Sequence, residues 1–300
     1  MKLTTFFSKV FLRLHKYGLF NFLPDSLDIR LLYLAIMGKC PNLRNPQTFN
    51  EKINWLKLHD RNPLYTTLVD KYAVKKWVAN KIGEEYTIPT LGVWERFEDI
   101  DFDKLPDQFV LKCTHDSASY IICKDKQKLD KISAKRKLSR ALKRNFYLAR
   151  REWPYKDVPH RIIAEMYVED YEDNELRDYK FYTFNGIPQF MLIASNRHIK
   201  EKKGFDYFDM VFNHIDLQDE RIPNSPVGIP HKPKNFEQMK RFSKILAENI
   251  PFVRVDFFEV NGQLYFGEMT FYDDGGFMKA KPCSWEKEWG DLIKLPLKNV

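Results

Sequence analysis

Seven charged residues lie inside runs that otherwise read as strands: Lys112, Glu165, Asp178, Lys180, Arg254, Asp256 and Glu268. Singly, each is explained by a solvent-facing position on an edge or alternating strand. Together they offer cations to meet phosphates, acids to hold magnesium, and acids to meet a ribose or exocyclic amine. Nucleoside triphosphate chemistry draws on that inventory, because its catalysis is mostly positioning and charge neutralisation.

Three of the seven fall in "VRVDFFEVNGQLYFGEMT", residues 253–270. Asn261-Gly262 between alternating apolar runs predicts a hairpin. Side chains alternate faces, so loop length decides which of them are neighbours. A two-residue loop sets Val260 opposite Gln263 and sends Asp256 and Glu268 to opposite faces. A three-residue loop, with Gly262 as a left-handed bulge, sets Glu259 opposite Gln263 and Arg254 opposite Glu268. Arg254, Asp256, Glu268 and Thr270 then share a face. The two acids become diagonal neighbours roughly 7–8 Å apart at Cα, within reach of one magnesium. Both registers are open to this sequence; only the three-residue loop gives the acids a joint task.

The elements that must hold these residues are mixed. Residues 1–60 read as helical, with "NPQTFNEKINWLKLHD" opening a helix near Thr48 or Asn50. "DKYAVKKWVANKIG" is an amphipathic helix beginning at Asp70-Lys71 and closed by Gly83. Short β-type runs follow in "TIPTLGVWERF" and "QFVLKCTHDSASYIICKD". "KLDKISAKRKLSRALKRNFYLARREW" reads as one basic helix with Leu138, Leu142 and Phe146 on one side. "HRIIAEMYVED" is a strand, and "LRDYKFYTFNGIPQFMLIAS" a second hairpin turning at Asn185-Gly186. Residues 200–235 read as a looser stretch, and "KNFEQMKRFSKILAEN" as a helix leading into the 253–270 hairpin. Helices mixed with hairpins indicate an α+β protein whose active face lies between two sheets.

Composition narrows the partners. The 44% hydrophobic content with 15% aromatic residues fits a folded core and argues against disorder. A net charge of +8 suits anionic partners such as nucleotides, acidic glycans or an anionic membrane surface. Finger, helix-turn-helix and RNP-like signatures are missing, so nucleic acid is not expected. Cys40, Cys113, Cys123 and Cys283 are dispersed, as for reduced thiols of a cytosolic protein. No apolar run is long enough to span a membrane. The first residues nevertheless place Phe7, Phe11 and Leu14 on one helical stripe and Lys9, Arg13 and Lys16 on another, with no acid before Asp25. Such a helix either packs its apolar stripe on its own domain or lies on a membrane surface. Interrupted by Lys9 and Arg13, it is a poor signal peptide.

P-loop, Rossmann and protein-kinase signatures are absent. The order of elements instead resembles the ATP-grasp fold, in which two α+β subdomains close on ATP. Within it the chain resembles the TupA-like family, named for teichuronopeptide synthesis and linked to bacterial surface polysaccharides. The resemblance runs from about Thr48 to Phe277, carried by "TFNEKINWLKLHDRNPLYTTLVDKYAVKKWV", "QFVLKCTHDSASYIICKDK", "REWPYKDVPHRIIAEMYVED", "DYKFYTFNG" and "VRVDFFEVNGQLYFGEMTFYDDGGF".

The resemblance implies a helical segment at 1–60, a small subdomain with the phosphate loop at 61–160, and a subdomain with the metal and acceptor site at 161–300. It implies that Lys71 and Lys112 reach phosphates and that Thr114–Tyr120 folds over the triphosphate, with His115, Ser117 and Ser119 among its contacts. Glu165, Met166, Tyr167 and Val168 form the adenine hinge, and Asp178 faces the ribose with Lys180 beside it. Asp256 and Glu268 hold Mg²⁺ or Mn²⁺ with Thr270 at a third ligand position, and Arg254 faces the acyl phosphate. Two departures stand out: the loop has no glycine, and Asp273-Asp274 adds acids beside the metal site.

The implied activity is a cytosolic ATP-dependent carboxylate–amine ligase whose substrates belong to a surface glycan, with peripheral contact to the inner membrane face. Two other readings are a glycosyltransferase using Asp99, Asp101 and Asp103 as D-x-D metal ligands, and a non-catalytic glycan- or membrane-binding partner.

Overall fold

The computed structural model describes residues 2–171, 175–196, 199 and 201–296. The chain opens with three helices, α1 (Lys2–Lys16), α2 (Asp25–Met37) and α3 (Phe49–His59). Thr48 caps α3 in a capping box: its hydroxyl accepts from the Glu51 amide, and the Glu51 carboxylate accepts from the Thr48 amide at 3.2 Å. Such caps contribute about 1 kcal/mol. α1 packs on α2 and the chain beyond it. Asp28 is its anchor, lying 3.0 Å from His15 Nε2 and accepting from Arg151 Nε at 2.7 Å. Phe11 and Leu12 join Leu32, Tyr33 and Phe277 in a small core. The expected stripe of Phe7, Phe11 and Leu14 is therefore split: Phe11 packs inward, while Phe7 and Leu14 are exposed.

α4 (Leu64–Val69) leads into α5 (Ala73–Ile82). The carboxylate of Asp70 accepts from the amides of Tyr72 at 2.9 Å and Ala73 at 3.3 Å, so the helix begins after the turn it stabilises. That is later than predicted, and it leaves Lys71 in the turn. There its amide donates to Thr114 O at 3.1 Å.

A four-stranded antiparallel sheet follows: β1 (Thr90–Trp94), β2 (Phe109–Cys113), β3 (Tyr120–Cys123) and β4 (Ile162–Met166), in the order β1-β4-β2-β3. One face is covered by α6 (Lys131–Leu142), whose Ala134, Leu138 and Ala141 pack on Phe109, Leu111 and Ala164. The single basic helix expected here is broken. α6 stops at Leu142 and a short α7 (Tyr147–Arg150) follows, ending in left-handed Arg151. That turn lets the Arg151 guanidinium reach buried Asp28.

The larger sheet has six strands: β5 (Asp178–Phe184), β6 (Ile187–Ser195), β7 (Gly204–Asp209), β8 (His214–Ile215), β10 (Phe252–Val260) and β11 (Gln263–Thr270). Their order is β11-β10-β5-β6-β7-β8, and β9 (Gln218–Asp219) pairs separately with β12 (Ala280–Lys281). The turn at Asn185-Gly186 is as expected, with φ +49 and +78. The stretch read as loose holds β7 to β9, because the alternation in "GFDYFD" is short. α8 (Phe236–Leu246) packs on this sheet. α9 (Trp285–Leu292), not anticipated, brings Trp285 and Trp289 against Phe49 and contributes Trp289 beside Phe184.

Of the two registers open to the sequence, β10–β11 begins in the one with the shorter loop, without losing the shared face. Val260 lies opposite Gln263, so the loop is the two-residue Asn261-Gly262, both with positive φ. Left unbroken, that register would separate the acids. A β-bulge intervenes: Phe257 pairs with Phe266 but Asp256 pairs with Glu268, leaving Gly267 as the extra residue. The bulge moves Glu268 onto the face of Asp256, directly opposite it, and sets Thr270 opposite Arg254.

Candidate active site

On the small sheet, Leu111 and Cys113 turn toward α6, which leaves Lys112 on the other face. Glu165, opposite Val110 on the neighbouring strand, shares that face and is buried. Lys112 Nζ pairs with Glu165 Oε2, and Lys75 Nζ lies 2.6 Å from Oε1. Burial alone would raise the Glu165 carboxyl, but Lys112 and Lys75 together hold it below its ordinary value. Lys75 was not anticipated, although it stands four residues after Lys71. Burial pulls the Lys75 ammonium below its ordinary range, against the pull of Glu165.

Lys71 joins the same group. Its ammonium donates to the Asp116 carbonyl. Burial lowers its pKa, the Glu268 carboxylate opposes this, and Lys112 reinforces it. Lys71 therefore feels both Lys112 of the small sheet and Glu268 of the hairpin.

On the larger sheet, Asp256 is buried between cations. Its Oδ1 accepts from Arg254 Nε at 2.7 Å and its Oδ2 from Arg254 Nη2 at 2.8 Å, while Lys180, its neighbour across β5, donates to Oδ2 as well. Lys180 Nζ also lies 3.1 Å from Asp178 Oδ2. Burial would raise the Asp256 carboxyl, but Arg254 and Lys180 bring it below its ordinary value. Arg254 also pairs with Asp273, donates to Thr270 Oγ1 at 3.2 Å and approaches Glu268 Oε1 at 3.5 Å. Asp273, read from sequence only as a departure, thus belongs to the constellation; it also accepts from Tyr182 Oη at 2.9 Å. Glu268 differs from Asp256. Its side chain is 45% exposed, with Arg254 as its ion-pair contact.

The loop Thr114–Tyr120 joins β2 to β3. It adopts left-handed backbone without a glycine, at Ala118 with φ +68. Asp116 is buried and accepts from Ser119 Oγ, so its charge is turned into the loop. His115 is fully buried, its Nε2 3.1 Å from Ala141 O and its ring stacked on His160 at 3.7 Å. It packs the loop onto α6, in place of the phosphate contact expected of it. Ser117 is exposed and Ser119 half-buried. Of the expected hinge, Tyr167 and Val168 follow β4, but the Met166 amide already donates to Pro89 O at 3.0 Å.

The profile of the family described as TupA-like ATPgrasp matches residues 51–294. The chain belongs to the TupA-like ATP-grasp family. No curated protein matches it. Among solved structures it is similar to the D-alanine–D-alanine ligase from Bacillus anthracis complexed with ATP, at 18% identity and TM-score 0.37, with 68% of this chain and 54% of that chain covered. The Helicobacter pylori D-alanine–D-alanine ligase is similar at 13% identity and TM-score 0.41, covering 76% and 63%. D-cycloserine synthetase DcsG is similar at 12% identity and TM-score 0.41, covering 76% and 70%. The chain spans little more than half the length of the first of these.

ATP-grasp membership implies a nucleotide and a divalent cation, and the side chains fit both. Among the described residues no group of three His, Cys, Asp or Glu could hold a metal by itself. Two opposed carboxylates on one face suit Mg²⁺, which takes one or two carboxylates and completes its shell with phosphates and water. Glu268 is open to it, whereas Asp256 must exchange a hydrogen bond from Arg254 or Lys180.

Two further groups lie beside this site and were not singled out from the sequence. Burial raises the Tyr155 hydroxyl well above its ordinary pKa; Glu152, Glu268 and Asp116 add to this and Arg254 opposes it. Lys57 and Glu152 are both buried. Burial pulls Lys57 down and pushes Glu152 up, and Lys57 donates to Asn54 Oδ1 and Arg150 O, both at 3.0 Å, and to Gly275 O. Both were within reach of sequence reading, since Glu152 and Tyr155 lie in "REWPYKDVPH" and Lys57 in "TFNEKINWLKLHD", two of the stretches that carry the family resemblance.

Proposed function

We propose that this protein is an ATP- and Mg²⁺-dependent carboxylate–amine ligase. The observation that carries the reading is the face shared by Arg254, Asp256 and Glu268, set against the lysines of the small sheet through Lys71. In this reading Lys71, Lys75 and Lys112 take the triphosphate, and Glu268 and Asp256 take the metal. Bound Mg²⁺ supplies charge neutralisation at the phosphates. A carboxylate oxygen of the substrate attacks the γ-phosphorus, forming an acyl phosphate and releasing ADP. The amine then attacks the acyl carbon, phosphate leaves, and the nitrogen gives up a proton to form the amide. In the same reading Arg254 meets the oxyanion of that second step.

Asp178 and Lys180 face the ribose side, with Thr114–Tyr120 as the cover over the phosphates. The carboxylate and amine belong to a sugar or amino acid of a bacterial surface glycan, and the reaction takes place on the cytoplasmic side. These parts rest on the family resemblance. The glycosyltransferase reading loses its support, because its acids are engaged at the surface: Asp99 with Arg96 at 2.6 Å and Asp101 with Lys104 at 3.0 Å.

Hydroxylamine trapping tests the ligase chemistry. With ATP, Mg²⁺ and a panel of amino acids and uronic acids, an acyl hydroxamate is expected for one carboxylate. ATP cleavage without hydroxamate from any member would replace the ligase with a phosphotransferase.

A further inference from the structure

α1 carries three faces. Phe11, Leu12 and His15 pack inward on α2. Phe6, Phe7, Val10 and Leu14, at helical spacing, face outward and are exposed, Phe6 and Phe7 by 60% and 62%. Lys9, Arg13 and Lys16 form the exposed strip beside them. Leu19 and Phe22, just past the helix, extend the apolar patch, with Phe22 79% exposed. Four large apolar side chains at one helical face, left without a covering element, form a patch of the kind that marks an interaction site.

The basic strip does not end with α1. Lys16 lies in a groove of about 570 Å³ with Lys143, Arg144 and Arg150. Arg144 also lines the adjoining groove of about 330 Å³, together with Arg136, Lys137 and Arg140 of α6 and with Ser117–Ser119 of the phosphate loop. Neither groove is lined by an Asp or Glu. Arg136, Arg140 and Arg144 are spaced four residues apart and so form one row along α6 and its end. The charged side chains lining the two grooves carry a single sign from α1 to the loop, and of these Arg150 pairs with Asp274 at 3.3 Å.

We propose that this surface docks the protein on an anionic lipid bilayer. The outward face of α1 inserts its phenylalanines at the level of the acyl boundary, and Lys9, Arg13, Lys16 and the arginine row lie on the phosphate headgroups. The choice of a bilayer follows from the pairing of features. Apolar rings beside an unbroken cationic strip match a surface that is apolar within and anionic at its rim. Docking in this pose turns the Ser117–Ser119 loop toward the membrane plane. It does not depend on the ligase chemistry.

Co-sedimentation with vesicles tests it, using phosphatidylcholine alone and phosphatidylcholine with phosphatidylglycerol. The full chain is expected to sediment with the anionic vesicles only. Phe6→Ser/Phe7→Ser, at exposed positions, is expected to weaken binding at least about tenfold while leaving the melting temperature unchanged. Arg136→Gln/Arg140→Gln/Arg144→Gln is expected to weaken it by about a hundredfold, near fivefold for each arginine, and added salt to mimic that loss. Wild type that ignores anionic vesicles overturns the proposal. So does binding unchanged in both variants. A sedimentation coefficient that falls from dimer to monomer on Phe6→Ser/Phe7→Ser, without vesicle binding by wild type, would make the face a contact between copies and also overturn it.

Discussion

On the small sheet Lys75 and Lys112 pair with one buried carboxylate, Glu165, while Lys71, held on the Asp116 carbonyl, adds a third positive charge that Lys112 opposes. On the larger sheet two cations, Arg254 and Lys180, sit among four carboxylates: Asp178, Asp256, Glu268 and Asp273. One side holds an excess of positive charge and the other an excess of negative charge. Burying unbalanced charge is costly unless a partner supplies the counter-charge. In the proposed reading a triphosphate answers the first excess and a divalent cation the second, so that a single Mg–nucleotide complex would satisfy both. The two sides also differ inside. Glu165 and Asp256 are saturated and serve to fix cations, while Glu268 alone keeps an open carboxylate.

That contrast is most strongly tested at Arg254. Replacing it with Ala leaves buried Asp256 with Lys180 as its one cation and buried Asp273 with the Tyr182 hydroxyl, so Arg254→Ala is expected to lose about 3 kcal/mol of stability along with activity. Urea unfolding checks this. A fully stable Arg254→Ala with only turnover reduced would mean that the buried network contributes little to the fold.

Lys112→Met is expected to weaken ATP binding by about 1.5–3 kcal/mol, the scale of a hydrogen bond to a charged group, and adenosine binding far less. Equal losses for the two ligands in calorimetry would assign Lys112 to packing with Glu165. Glu165→Gln sharpens the same side through pH. A carboxyl whose pKa is lower folded than unfolded stabilises the fold above the unfolded value, near 4, and that contribution vanishes as pH falls through the folded value. Glu165→Gln should therefore lower the melting temperature at neutral pH and flatten its decline below about pH 4. An acid limb identical to wild type would place the linkage at other carboxyls.

Gly267 explains how much of the site was legible. The charged residues, the turn at Asn261-Gly262 and the two-sheet α+β plan all follow from alternation and turn chemistry. The register did not, because the sequence left a two-residue and a three-residue loop both open and neither reading included a bulge within β11. A glycine inside a strand is the available signal for a bulge. Lys75 was legible as the residue four after Lys71, and Asp273 was read as an acid beside the metal site, but its pairing with Arg254 was not legible, since only the return of the chain after β11 brings the two together. His115 was misread because its packing on His160 and α6 is a tertiary fact. At Gly267 an added Cβ would lie 3.0 Å from Asp256 O and from the Phe258 ring. Gly267→Ala is accordingly expected to cost about 1 kcal/mol and to lower Mg²⁺-dependent turnover by displacing Glu268. Unchanged turnover would uncouple the bulge from the site.

The division of labour between the two sheets is tested most directly at Glu268, whose exposure keeps the stability change of Glu268→Gln within about 0.5 kcal/mol. The measurement is ATP affinity with and without Mg²⁺, for wild type and Glu268→Gln. Mg²⁺ is expected to tighten ATP binding to wild type, and to lose most of that effect in the variant, while metal-free affinity does not fall. A Glu268→Gln protein that keeps the full Mg²⁺ effect, or a wild type that binds adenosine as tightly as ATP, would contradict the account.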